Sequence, residues 1–229
     1  MARPRQGYFI DGEPVPGVTT LCGLLNKPAL VGWAGKLCTE AAWRVGREGG
    51  DMPKWTELLY GTRDAAASAG TLVHELFDAY LRGHALPEIP DTEVGAAARN
   101  GFENAKRWLD GSALEIEAYE KPLVSAAYRY GGTPDALAMS ADGIIALCDW
   151  KTSAGVYAEM AVQMAAYRQL LREAADTVAH GVHLVRFSRD HADVTHHYFG
   201  DDVLDLGWDV FAGLLAAHGP LKQLEKRVK

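Results

Sequence analysis

Cysteine is scarce in this chain of 229 residues, which holds only Cys22, Cys38 and Cys148. Three well-separated thiols with no C-x-x-C spacing provide neither a disulfide framework nor a cysteine zinc site. They also fall short of the four that an iron–sulfur cluster takes, and they read as small buried hydrophobes. Long apolar runs are missing too. No stretch approaches the length a membrane helix needs, and the basic start, Met1 to Gln6, lacks the apolar segment of a secretion signal. An intracellular, cytoplasmic protein is expected. Positive charge is in deficit: the net charge is −7. That balance argues against a protein that coats nucleic acid. It suits a site built from carboxylates, where bound cations reverse the local sign. The basic residues at the two ends, Arg3, Arg5, Lys222, Lys226, Arg227 and Lys229, read as solvated tails. Two enzyme signatures fail. His74-Glu75-Leu76-Phe77-Asp78 lacks the second histidine of H-E-x-x-H, and Gly32-Trp33-Ala34-Gly35-Lys36-Leu37 lacks the length and terminal hydroxyl of a P-loop. No ATPase motor is present, so a helicase, if one is needed, is a separate chain.

What is present suits one core. Hydrophobic residues make up 48% and charged residues 23%, the balance of a globular domain, and the length is marginal for two. A single domain, 1–229, is expected: a mainly helical part (1–60), a motif-bearing core (61–175) and C-terminal strands and helix (176–229). Tyr8 to Ile10, Asp11-Gly12 and Glu13 to Pro16 read as a hairpin. Val18 to Leu25 reads as a short helix stopped near Asn26-Lys27-Pro28, and Leu30 to Arg47 as a helix ending at Gly49-Gly50. Asp64 to Leu81 has Ala69, Val73, Leu76, Phe77 and Tyr80 at helical spacing, and Thr92 to Leu109 is another helix. Then come strands at Leu114 to Val124, Tyr128 to Met139 and Ile144 to Lys151, and a helix at Tyr157 to Ala174. Strands at Gly181 to Phe187 and Asp193 to Phe199 follow. A last helix, capped by Asp201 or Asp202, runs to about Ala217. The order predicts an α/β domain with a mixed sheet and a helical N-terminal part.

The chemistry concentrates in Gly131-Gly132-Thr133-Pro134-Asp135 and Cys148-Asp149-Trp150-Lys151-Thr152. Strand side chains alternate between faces, so Ile145, Leu147, Asp149 and Lys151 share one and Ile144, Ala146, Cys148 and Trp150 the other. A three-residue loop, Ala141-Asp142-Gly143, with glycine in the left-handed position, pairs Ser140 with Ile144 and, further out, Asp135 with Asp149. A two-residue loop would shift this register by one. Opposed β-carbons lie about 5 Å apart, and carboxylates that close repel unless a cation or proton intervenes. Aspartate oxygens suit Mg²⁺ or Mn²⁺. Such an ion polarises a phosphate and acidifies bound water, and a lysine on the same face offsets charge developing on the phosphate. The plainer alternative is a pair of exposed carboxylates beside a solvated lysine.

Pro134-Asp135 with Asp149-Trp150-Lys151 resembles the PD-(D/E)XK motif of a nuclease superfamily. Gly70-Thr71-Leu72-Val73-His74 resembles the G-T-x-x-H helix of its RecB-like group, and Gln163-Met164-Ala165-Ala166-Tyr167 resembles that group's Q-x-x-x-Y motif. These motifs span Asp64 to Leu171. Val18-Thr19-Thr20-Leu21 and Lys27 to Ala34 are similar to segments of phage-type and mitochondrial-maintenance exonucleases. The resemblance implies a restriction-endonuclease-like core, a central mixed β-sheet flanked by helices. It implies metal ligation by Asp135, Asp149, His74 and the Trp150 backbone carbonyl, with Lys151 as the catalytic lysine. Gln163 and Tyr167 would contact DNA or brace the site. Glu120 resembles a recurrent family position, with a structural ion pair as the alternative. Thr152 and Ser153 would bond a phosphate or cap the following helix. The implied activity is a Mg²⁺- or Mn²⁺-dependent DNA exonuclease of phage-like recombination or repair, in host cytoplasm if phage-encoded. A single-strand annealing protein or helicase would be its separate partner, and a homo-oligomer is left open. The rivals are a structure-specific endonuclease and a non-catalytic nucleic-acid or partner-binding module.

Other residues read more plainly. His74, beside an apolar helix stripe, would alone be a hydrogen-bonded structural histidine. Tyr167 belongs to a core stripe with Met160, Met164 and Leu171. His180, His183, His191, His196 and His197 lack the accompanying ligands of a zinc site and read as solvated or structural. Trp33, Trp43 and Trp55 read as core or rim residues able to stack on bases.

Overall fold

The computed structural model describes residues 7–25, 27–175 and 177–228. Arg3, Arg5 and Lys229 of the basic ends, and Asn26 of the expected helix stop, lie outside them. The chain opens with strands β1 (Tyr8–Ile10) and β2 (Glu13–Val15), paired antiparallel. Asp11 and Gly12 both have positive φ, 51° and 80°, as a type I′ hairpin turn requires. Helices α1 (Val18–Cys22), α2 (Pro28–Glu48), α3 (Trp55–Leu81) and α4 (Glu93–Gly111) follow. The Thr92 hydroxyl accepts from the Gly95 amide and caps α4. Helix α3 starts nine residues before the expected Asp64, because its first turns are exposed and carry no apolar period to read.

The strand-rich half is more divided than expected. Leu114 to Val124 resolves into β3 (Glu115–Ala118) and the start of β4 (Leu123–Ser125). Tyr128 to Met139 resolves into β5 (Tyr130–Gly132) and β6 (Ala136–Met139). Both breaks have local causes. Glu120 sits at φ 39°, outside any strand conformation, and Pro134 has no amide to give a ladder. Strand β7 (Ile145–Lys151), helix α5 (Ala158–Ala174) and strands β8 (Val182–Phe187) and β9 (Val194–Phe199) match expectation closely. Helix α6 (Asp201–Arg227) runs ten residues beyond the expected end and through Pro220. Its N-cap is Gly200 without a side-chain bond. Asp201 and Asp202 stand in its first turn, where their negative charge favours the positive end of the helix dipole but does not cap it.

Strands β3-β6-β7-β8-β9 form one five-stranded sheet in that order, while β4 and β5 pair separately. Strands β7 and β8 are parallel, joined across α5, and the other pairs are antiparallel. The sheet is therefore mixed, with helices on both faces. On one side Leu147, Val182 and Leu184 pack with Met164, Leu170, Leu204 and Phe211 from α5 and α6. On the other, Cys148, Trp150, Val185 and Phe187 pack with Val73, Phe77, Phe102 and Trp108 from α3 and α4. The alternation along β7 is the one its sequence predicts. Each large side chain buried here contributes roughly 1.5–3 kcal/mol, so the two cores fix the strand ends between them. No helix among the described residues is long and apolar enough to cross a membrane.

Candidate active site

The turn between β6 and β7 sets the site's register. Gly143 has φ 80°, the Gly143 amide donates to the Ser140 carbonyl at 2.8 Å, and the Ser140 amide donates to the Ile144 carbonyl at 3.0 Å. The ladder pairs Met139 with Ile145 through to Ala136 with Cys148. One step beyond, Asp135 stands opposite Asp149. Asp135 leaves the ladder there, and its side chain takes over the missing bond: the Trp150 amide donates to Asp135 Oδ2 at 3.0 Å. The Asp135 carbonyl in turn accepts from the amides of Tyr119 (2.9 Å) and Glu120 (3.3 Å). The aspartate is thus held from both neighbouring segments.

Asp149 is 2% exposed. Its Oδ2 forms an ion pair with the Lys151 ammonium, which is its partner among the described residues. A carboxylate this buried is costly to ionise even when it is paired. Burial pushes the Asp149 acid up to about 6; Lys151 pulls it down, Asp135 pushes it up, and His74 pulls it down more weakly. Lys151 Nζ also donates to Gln163 Oε1 at 3.1 Å, and Gln163 Nε2 donates to the Tyr167 hydroxyl at 3.0 Å. The Q-x-x-x-Y pair on α5 therefore forms a relay that orients the lysine. Burial, with the Asp149 charge, raises the Tyr167 phenol far above its usual range, so it stays neutral.

His74 reaches the same point from α3, with Nδ1 3.5 Å from Asp135 Oδ2. Gly70, one turn earlier, is small for a visible reason: a β-carbon there would meet Thr152 Oγ1 at 2.7 Å. The helix can approach the end of β7 only without that atom. His74, Asp135, Asp149, Lys151, Thr152, Gln163, Tyr167 and Glu120 all line one cleft of about 700 Å³. Ser153 does not line it; its hydroxyl donates to the Gly155 carbonyl at 2.7 Å. Neither Thr152 nor Ser153 caps α5, whose N-cap is Tyr157. The Trp150 ring is buried in the second core, against Phe77, Trp108 and Phe187, so only its backbone belongs to the site.

Two contributors escaped the sequence reading. Thr133 lines the cleft, and its hydroxyl bonds that of Tyr8 at 2.9 Å. Nothing in the spacing of residues 125 positions apart announces this contact. Among the described residues no three His, Cys, Asp or Glu side chains converge as a ready-made cation cage. Asp149 is turned to Lys151, and Asp135 to the Trp150 amide. The donor set nevertheless fits a hard divalent cation: opposed aspartates, one of them buried, beside a histidine.

No protein-family model matches the chain, and no curated protein matches it in sequence. Among solved structures it is similar to a protein from Eubacterium rectale named as a candidate exonuclease. The TM-score is 0.44 and the identity 13%, over 82% of each chain. It is also similar to LHK-Exo, solved in complex with dAMP, with a TM-score of 0.39 and 14% identity over 72% of this chain and 90% of that one.

Proposed function

We propose that this chain is a metal-dependent DNA nuclease of the PD-(D/E)XK type. The observation that carries the reading is the buried Asp149 carboxylate, set opposite Asp135 and paired with Lys151 at the edge of an open cleft. Asp135, Asp149, His74 and the Trp150 carbonyl would hold Mg²⁺ or Mn²⁺, which when bound polarises a phosphate and makes hydroxide accessible near neutral pH. The chain's own residues do the rest. Lys151, steered by Gln163 and Tyr167, places an ammonium where negative charge grows on the phosphate during in-line attack. A bound cation replaces the proton that Asp149 otherwise holds below about pH 6. Thr152 offers a hydroxyl to a phosphate oxygen from the cleft wall.

The test is digestion of end-labelled single- and double-stranded DNA, linear and circular, with Mg²⁺, Mn²⁺ or EDTA. Cleavage that needs the cation and disappears in Asp149→Ala is expected, and sparing of circular DNA identifies an exonuclease. Full cleavage by Asp149→Ala ends the assignment. Mn²⁺ binding by calorimetry without any hydrolysis points instead to a binding module that keeps the site's shape.

A further inference from the structure

The first half of α3 and the helix before it carry features the nuclease site does not use. Trp55 and Tyr60 on α3 and Trp43 on α2 are 62%, 48% and 64% exposed. Two of these rings carry a guanidinium: Arg47 lies over Trp43 at 4.6 Å, and Arg63, which also pairs with Asp64 at 2.8 Å, lies over Tyr60 at 4.8 Å. Trp55 and Tyr60 approach each other at 6.4 Å between ring centres. Large aromatic groups left in water cost free energy that a partner recovers.

Position on the helix says where this surface leads. Residues three and four apart share a helix face. Tyr60, Arg63, Ala67, Gly70 and His74 follow that spacing, and the last three line the cleft. The exposed ring and guanidinium therefore continue the cleft wall along one unbroken helix, Trp55–Leu81. At 1.5 Å per residue, Tyr60 lies about 21 Å before His74. Charge agrees. Residues 27–64 hold six basic and five acidic residues, against seventeen and twenty-five in the rest of the chain. This segment is thus close to neutral, slightly basic, within an acidic chain.

We infer that the exposed aromatic–arginine face of α2 and the first half of α3 is a track for single-stranded nucleic acid, feeding a strand into the cleft. Unpaired bases offer open π-faces to Trp55, Tyr60 and Trp43, while Arg47 meets the backbone. A duplex keeps its base faces stacked and offers only groove edges. The inference rests on the nuclease reading for its direction, but its test does not need catalysis.

The experiment is fluorescence anisotropy of labelled oligothymidylate with the full chain in EDTA at fixed salt. It compares wild type, Trp55→Ala/Tyr60→Ala and Tyr60→Phe. A loss of affinity of about tenfold or more is expected in the double variant, the scale of one or two lost stacking contacts. Tyr60→Phe, which keeps the ring, should bind as wild type does. Both sites are exposed, so truncation opens no core cavity, and unchanged circular dichroism melts verify the fold. Equal affinity in wild type and double variant overturns the track. So does an oligomer in sedimentation that the double variant dissolves, which would assign the surface to a second copy of the chain. If wild type cleaves no DNA with any cation yet the double variant loses single-strand affinity, the nuclease reading falls and the track stands.

Discussion

Replacing Asp149 by asparagine in the metal-free protein should change how stability depends on pH. An aspartate in an unfolded chain titrates near about 3.9, whereas burial pushes Asp149 up to about 6 in the fold. Below about pH 4 the group is protonated in both states and contributes nothing. Between about pH 4 and 6 the unfolded chain releases a proton that the folded chain keeps, so stability falls as pH rises. Above about pH 6 the whole penalty is present. A rise of about two pH units, at 1.36 kcal/mol per unit, makes it about 3 kcal/mol at most. Asparagine removes this titration; the attraction to Lys151, felt only by the ionised Asp149, is already contained in that shift, so what remains is an offset independent of pH. Slopes therefore decide, not absolute stabilities. Urea unfolding in EDTA from pH 4 to 7.5 should show the variant gaining about 2–3 kcal/mol on wild type as pH rises. Parallel curves would refute the reasoning. At pH 7, Mn²⁺ at a hundredfold excess over its dissociation constant should return about 2.7 kcal/mol to wild type and much less to the variant.

Lys151→Met keeps the stem and removes the charge; cleavage should fall by at least about a hundredfold while Mn²⁺ binding by calorimetry persists. Gly132→Ala should lower stability by about 1–3 kcal/mol in thermal or urea unfolding, because its β-carbon would meet Tyr167 Cε1 at 2.6 Å and Leu170 Cδ1 at 2.8 Å. Burial lowers His183 to about 4, helped by His196, which is lowered likewise. His196 Nε2 lies 2.8 Å from His183 Nδ1, and its Nδ1 accepts from the Trp108 indole at 3.3 Å. The unfolded chain therefore binds more protons between about pH 6.5 and 4, so stability should fall as pH drops through that window. His183→Gln should blunt the fall in melts recorded across it.

The strongest sequence signals were those whose physics is local. The Ala141-Asp142-Gly143 loop left two registers open, and the structure has the three-residue one, with Gly143 at φ 80° and Asp135 one step beyond the ladder opposite Asp149. The two-residue period of β7 assigned Leu147 and Cys148 to opposite cores correctly. The helix expected from Thr92 is present, and the structure shows Thr92 as its N-cap. Features that depend on distant partners stayed hidden. The start of α3 at Trp55 lies on an exposed helix with no apolar stripe to mark it. Division of two expected strands into four followed from Glu120 and Pro134, whose effect depends on which neighbours need a backbone donor. The histidines on β8 and β9 read as solvated or structural, but the bond from Trp108 to His196 joins α4 to the sheet and no spacing predicts it. Grouping of His74, Asp135, Asp149 and Lys151 in one cleft follows the expected motifs, whereas the Tyr8 contact with Thr133 joins positions no motif connects.

That last contact belongs to a larger arrangement. Gly131 has no room for a β-carbon because the Tyr8 ring occupies that space, and at Gly132 the Tyr167 ring does the same. The Gly131 amide also donates to the Pro16 carbonyl at 3.0 Å. The backbone entering Asp135 is thus gripped in a vice, with one jaw from the opening hairpin and the other from the helix that steers Lys151. Whatever pulls on the hairpin, be it a fused tag, a protease cut or a bound partner, tugs on the aspartate as well. Access to the hairpin becomes a lever on the placement of a carboxylate more than a hundred residues downstream.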